Sequence, residues 1–236
     1  MKSLVIAFQF MTRIPLPAVS ANTHDAGAAM RWFPVTGAVI GAVVWGAAFA
    51  GQSVEPLLAA LLGVAAWAAI TGSLHLDGLA DVADAAGASH KDPTRLSAVM
   101  ADPHVGSFGV VAITMQLVAK LILLSLIAER GGLWVLPAIC CAARIGPLAW
   151  ALLLPPLHKG MGTMFAAATG WHHLAIWSVL AAAMAWYLPS LVVAIPAIGA
   201  WALWCRSRLG GISGDSHGAG IEIVETTLLL AWVAMS

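Results

Sequence analysis

The chain has 236 residues, 61% hydrophobic and only 9% charged, with a mean hydropathy of +0.90. Soluble domains carry roughly a quarter charged residues, so a conventional water-soluble interior cannot account for this composition. Eleven Lys and Arg balance eleven Asp and Glu, which leaves no basic surplus to suggest nucleic acid as a partner.

The elements are all helical candidates. Residues 3–11 are apolar but too short to span, and Pro15 and Pro17 stop them; this predicts a short interfacial or re-entrant N-terminal helix. No small-residue cleavage site follows, so a removed signal peptide is not expected. A membrane helix needs about 20 predominantly apolar residues, and such runs fall at 32–50, 54–75, 107–128, 133–154, 174–188, 190–205 and 218–235. As one helix, 174–205 would measure about 48 Å; Pro189 at its middle favours two short helices, with a single crossing left open. No polar linker divides the chain. The expectation is an all-α polytopic membrane protein, one integral unit over 1–236 with about seven transmembrane helices, in contact with the lipid bilayer. Eleven Trp against one Tyr fit that setting. Cys140, Cys141 and Cys205 have no framework spacing and read as packing residues.

Charge placement orients the spans. With 1–31 inside, the inner segments hold Lys2, Arg13, Arg31, Lys91, Arg95, Lys159, Arg206 and Arg208, and the outer loops hold Arg130 alone. That is the positive-inside asymmetry, so the polar chemistry is expected on the cytoplasmic face. Lys120 and Arg144 fall inside spans. Arg144 needs an anionic partner there, an acid or a substrate phosphate, while Lys120 either snorkels or pairs.

Eight of the eleven acids lie in 77–102 and 215–225. Asp77, Asp81 and Asp84 follow i, i+4, i+7 spacing, which puts three carboxylates on one helix face with no interleaved cation. A hard divalent cation such as Mg²⁺, with Mn²⁺ as a substitute, would relieve their repulsion. Asp92-Pro93 reads as a helix start with Asp92 as its cap, and Arg95 either contacts a phosphate or snorkels. In the second segment, Gly210, Gly211 and Gly214 precede Asp215, and Glu222 and Glu225 follow at i, i+3. Asp215 is either a ligand or a helix cap. Glu222 and Glu225 either complement a helix dipole or serve a function, because carboxylates in an apolar helix are costly. Carboxylates arriving from both segments could bind a metal pair suited to a pyrophosphate. His158, His172 and His173 read as surface residues. A P-loop, a zinc-protease motif and a nucleophile elbow are all missing from the sequence.

Joint motifs then resemble one family, the cobalamin synthases (adenosylcobinamide-GDP ribazoletransferases), over almost the whole chain. They are Phe10-Met11-Thr12-Arg13-Ile14-Pro15-Leu16-Pro17, Phe33-Pro34-Val35-Thr36-Gly37, His75-Leu76-Asp77-Gly78-Leu79-Ala80-Asp81 with Asp84, Met100-Ala101-Asp102 with Gly106 and Gly109, Arg144, and Gly214-Asp215 through Gly218-Ala219 to Glu222 and Glu225. Departures from the family pattern occur at Ala85, at Pro103-His104, at Leu157-His158-Lys159-Gly160, and at His217, where Leu is usual.

The resemblance implies a transferase of cobalamin biosynthesis in the bacterial cytoplasmic (inner) membrane. It would join adenosylcobinamide-GDP to α-ribazole or its 5′-phosphate and release GMP. It further implies Mg²⁺ held by Asp77, Asp81, Asp84 and Asp215, catalysis by these four with Glu222, and substrate contacts from Arg13, His75, Arg95, Asp102, Arg144, Gly214 and Glu225. A homo-oligomer is left open. One rival is a CDP-alcohol-type lipid phosphotransferase, whose Asp-Gly-x-x-Ala-Arg start and Gly-x3-Asp-x3-Asp ending do not follow Asp77-Gly78. The other is a secondary transporter, which would place charged sites at the midplane of repeated halves; the sequence shows no repeat.

Overall fold

In the computed structural model of the chain, which describes residues 1–20, 23–88, 104–157 and 161–236, the apolar runs are helical and the described residues form no strand. In chain order the helices are α1 (Lys2–Met11), α2 (Thr23–Gly27), α3 (Phe33–Gln52), α4 (Pro56–Thr71), α5 (Leu74–Ala88), α6 (Ser107–Glu129), α7 (Leu136–Ala143), α8 (Gly146–Leu153), α9 (Met161–Ala168), α10 (Trp171–Ala185), α11 (Ala194–Arg208) and α12 (Gly214–Met235). Short 3₁₀ turns at Met30–Trp32, Leu133–Val135 and Pro189–Val193 lead into α3, α7 and α11.

Five helical stretches among the described residues are long and apolar enough to cross a membrane: Asp25–Gln52, Ser107–Glu129, Leu133–Leu153, Pro189–Arg208 and Gly214–Met235. A sixth follows if α4 and α5, bent by 86° at their junction, count as one broken span. Two of the seven expected runs fall below that length: the run 54–75 stops as a helix at Thr71, leaving α4 with 16 residues, and α10 has 15, about 22–24 Å of helix. The run 174–205 is indeed two helices, parted by the turn that starts at Pro189.

The α4–α5 junction has a local cause. Gly72 takes the left-handed conformation (φ 59°) that ends helices at low cost in glycine, and Ser73 repeats it (φ 59°). The amides of Gly72 and Ser73 donate back to Ala69 and Ala68, closing α4, and the amide of Asp77 donates to the carbonyl of Ser73, opening α5.

Packing is close where small residues allow it. Gly37 and Gly41, four apart on α3, face the backbone of Cys140 and Leu136, where any Cβ would fall about 2.3–2.4 Å from a carbonyl oxygen; this is the small-xxx-small contact of membrane helices. α1 lies against the start of α3, with the Phe10 and Phe33 rings stacked 5.8 Å apart. α12 runs through the middle of the bundle and meets α5, α6, α7, α8 and α11.

Four charges fix α12 in place. Lys120 of α6 pairs with Glu222 at 2.7 Å and with Glu225 at 2.8 Å, and Arg144, just after α7, pairs with Glu225 at 2.6 Å. Gln116 donates to the Glu222 carboxylate (2.8 Å), to its carbonyl (2.9 Å) and to the Thr226 hydroxyl (2.7 Å). The Lys120 ammonium also sits 3.8 Å from the centre of the Trp67 ring of α4. All four charged residues are buried. Arg144 and Lys120 thus find the anionic partners that intramembrane cations require.

Removing one partner of such a pair typically costs about 3–5 kcal/mol, because the other charge is left buried and unpaired. We expect Glu225→Gln to lower the thermal unfolding midpoint markedly in detergent. The double variant Glu225→Met/Arg144→Met should recover most of the loss.

Candidate active site

The turn at Gly72-Ser73 sends α5 across the starting ends of α6 and α12. Near its beginning, Gly78 meets the backbone of Asp215; a Cβ there would fall 2.6 Å from the Asp215 carbonyl oxygen and 2.9 Å from its Cα. Toward its end, the Asp84 carboxylate accepts the amide of Gly106 at 2.7 Å and that of Gly109 at 2.9 Å. α5 therefore lies over the N-termini of two spanning helices, and we read it as a boundary helix outside the membrane-spanning segments. The two acidic segments, far apart in sequence, form one site on one face of the bundle.

Asp77 is exposed, while Asp81, Asp84 and Asp215 are half-buried. The Asp81 carboxyl is pushed up to about 6, first by burial and then by the negative charges of Asp215, Asp77 and Asp84. Asp84 has a task that spacing alone did not suggest. With both oxygens on backbone amides, it fastens α5 to the N-terminal end of α6, where the helix dipole favours a carboxylate. Asp215 is not the cap of α12. That position belongs to Ser213, whose hydroxyl accepts the Ser216 amide at 3.1 Å while Ser216 Oγ accepts the Ser213 amide at 2.7 Å. The loop before it is pinned to the segment after α8, with the Leu157 amide on the Ile212 carbonyl and the Ile212 amide on the Pro155 carbonyl, both at 2.9 Å.

The other expected site residues are distributed by depth. Arg13 is exposed at the head of α5, its side chain against Gly72 and its amide on the Ile70 carbonyl at 2.7 Å. Gly214 opens α12 and has open space beside it. His75 is buried, its Cα close to Gly218. Glu222, Glu225 and Arg144 lie in the buried ion network, with Glu222 about 10 Å along α12 from Asp215; they support the site from behind rather than line it. Arg95 and Asp102, like the Asp92 cap, lie outside the described residues. Beside Asp77 and Asp215 opens a cavity of about 110 Å³ that includes His75 and His217. His217, which the sequence marks only as a departure from the family pattern, lies on the same cavity as the expected His75. A larger groove of about 490 Å³ between α8, α10 and α11 is walled almost wholly by apolar side chains and contains none of these acids.

As arranged, no three His, Cys, Asp or Glu side chains among the described residues come together closely enough to hold a metal ion. The donor chemistry of Asp77, Asp81 and Asp215 nevertheless fits a hard cation. They are oxygen donors around a carboxyl that burial first, and the charges of its neighbours next, make harder to ionise, and no Lys or Arg stands among them on α5. Asp84, engaged by two amides, fits that role less well than the other three.

A polytopic helical membrane protein with a carboxylate site assembled at one end of its spans is the class that fold and site define. Residues 3–233 match the family model described as cobalamin-5-phosphate synthase, and the chain belongs to that family. It is 52% identical to an adenosylcobinamide-GDP ribazoletransferase of Novosphingobium aromaticivorans, covering 98% of this chain and 96% of that one. Proteins of the same name from Thiobacillus denitrificans and Laribacter hongkongensis are 46% and 43% identical, the first over 100% of this chain and 97% of its own, the second over 98% and 96%. No solved structure matches the chain.

Two outcomes test the site. Gly78→Ala adds only a methyl and improves helix propensity, yet must displace α5 from Asp215; we expect activity to fall about a hundredfold, the scale of a 1 Å misplacement. The folded state also binds the Asp81 proton more tightly than the unfolded chain, so stability should fall as pH rises from about 4 to about 6. In chelator-treated protein, thermal midpoints should show this decline, and Asp81→Asn should flatten it.

Proposed function

We propose that the chain is an adenosylcobinamide-GDP ribazoletransferase that joins the GDP-activated corrinoid to α-ribazole or its 5′-phosphate and releases GMP. The observation that carries this reading is the meeting of Asp77 and Asp81 with Asp215 in one site, in a chain of this family. The ribose hydroxyl of the ribazole attacks the phosphorus that bears the corrinoid. A new P–O bond forms, the bond to the GMP phosphate breaks, and GMP leaves with the bridging oxygen. The hydroxyl proton passes to a carboxylate of the set.

Asp77, Asp81 and Asp215 would hold Mg²⁺, with Mn²⁺ as a substitute. When bound, the ion supplies charge neutralisation of the pyrophosphate and of the departing GMP. The protein's own residues do the positioning. Asp84 holds α5 on α6, and Ser213, not Asp215, caps α12. Arg13, at the head of α5, is placed to meet a substrate phosphate, the role we also keep for Arg95; Asp102 is kept as a further substrate contact on its motif alone. Glu222, Glu225 and Arg144 act on the reaction through the depth and rotation of α12. The inner-side distribution of basic residues supports a site on the cytoplasmic face of the bacterial inner membrane.

Purified protein in detergent should release GMP only when adenosylcobinamide-GDP, α-ribazole and Mg²⁺ are all present; corrinoid-independent release would overturn the reading. Asp215→Asn should raise the Mg²⁺ concentration for half-maximal rate by about tenfold or more, since losing even an outer-shell partner of a metal costs about that much. Metal titration of initial rates measures it.

A further inference from the structure

Behind Asp77 and Asp215, the cavity of about 110 Å³ has room for several water molecules or one flat ring. His75 and His217, only 2% and 6% exposed, line it. None of their four ring nitrogens has a hydrogen-bond partner among the described residues. Buried polar atoms are nearly always satisfied by protein, water or ligand, so two orphaned imidazoles on one cavity point to a guest that brings the missing partner. The remaining wall is apolar, with the stacked rings of Phe10 and Phe33 and the pliable side chains of Met11 and Met30.

We propose that this cavity is the subsite for the base of α-ribazole, a neutral, flat, methylated benzimidazole, with one imidazole of the His75–His217 pair supplying the N–H that its free ring nitrogen accepts. The inference rests on the transferase reading above and says which part of which substrate the cavity takes. A neutral imidazole has one N–H to give, and a benzimidazole riboside has one ring nitrogen to receive it. Its methyl groups suit methionine and phenylalanine. Guanine is the poorer guest: its N7 and O6 can also accept an imidazole N–H, but its N1–H and amino group then need acceptors, and among the described residues the carboxylates on the cavity are Asp77 and Asp215, which the phosphate chemistry needs. With the base seated inward, the ribose emerges beside these two aspartates, where its hydroxyl is to react.

Three measurements on the full chain in detergent test the assignment. On the unaltered protein, free dimethylbenzimidazole should inhibit competitively with α-ribazole and not with adenosylcobinamide-GDP; competition with the corrinoid substrate instead would overturn the proposal. At least one of His217→Leu and His75→Leu should raise the KM for α-ribazole, and its Kd by equilibrium dialysis, about tenfold, the scale of one lost hydrogen bond. The KM for adenosylcobinamide-GDP should stay within about twofold. Because these side chains are orphaned, their thermal midpoints should hold or rise. Unchanged ribazole affinity in both folded variants would overturn the proposal while leaving the transferase reading intact. Absence of GMP release from the unaltered protein would overturn that reading itself.

Discussion

Two cations in an apolar interior dictate much of this architecture. Lys120 and Arg144 sit where an unpaired charge is costly, and α12 supplies the acids that balance them. Glu222 and Glu225, three residues apart, project from one face of that helix toward α6 and the end of α7. Both must reach their partners at once, so the rotation and depth of α12 are set together. Gln116 adds a third constraint by bonding the carbonyl of Glu222 as well as its carboxylate. Two turns nearer the surface, Asp215 inherits the setting. The crossing at which Gly78 touches its backbone is a consequence of ion pairs buried below.

Above that clamp, the protein assembles a site against its own electrostatics. Asp77, Asp81 and Asp215 repel one another, and burial raises the penalty for charging Asp81. Two features hold α5 in place regardless. The left-handed pair Gly72-Ser73 fixes its direction relative to α4, and Asp84 anchors its far end on the amides of Gly106 and Gly109. A cluster held this way has little freedom to relax by moving apart, so relief must come from a proton or a cation. A phosphoryl-transfer site has use for the second.

The spans were legible because hydropathy reports burial in lipid directly, and the break at Pro189 was legible because proline lacks the amide a continuous helix needs. The direction of α5 was not. The run 54–75 looks unbroken in hydropathy, and only the φ values at 72 and 73 turn the chain. The spacing of Asp77, Asp81 and Asp84 correctly put three carboxylates on one helix, but periodicity treats them alike. What sets Asp84 apart is the neighbouring end of α6, a tertiary fact. The choice between ligand and cap for Asp215 could have been narrowed from sequence, since Ser213 and Ser216 stand at the N-cap and N3 positions of a reciprocal cap. Glu222 and Glu225 were recognised as too costly to be idle, whereas their partners became visible only once α6 and α7 packed beside α12.

Depth along a single stripe sorts the carboxylates into their roles. At the exposed end Asp77 faces water, and a carboxylate there can exchange solvent for a substrate or an ion at small cost. At half-burial, Asp81 and Asp215 have lost enough solvent for their mutual field to matter but remain reachable. Asp84, equally buried, is satisfied by two amides and becomes an anchor. Glu222 and Glu225, out of reach of water, are tolerable only with cations already in contact. The imidazoles of His75 and His217 are about as buried as the sealed carboxylates, but a neutral polar group needs only a hydrogen bond there and no counter-charge. A neutral heterocycle with an apolar body and one accepting nitrogen would meet that requirement. The order of chemistry along α12, from Asp215 through His217 to Glu225, therefore follows the order of solvation.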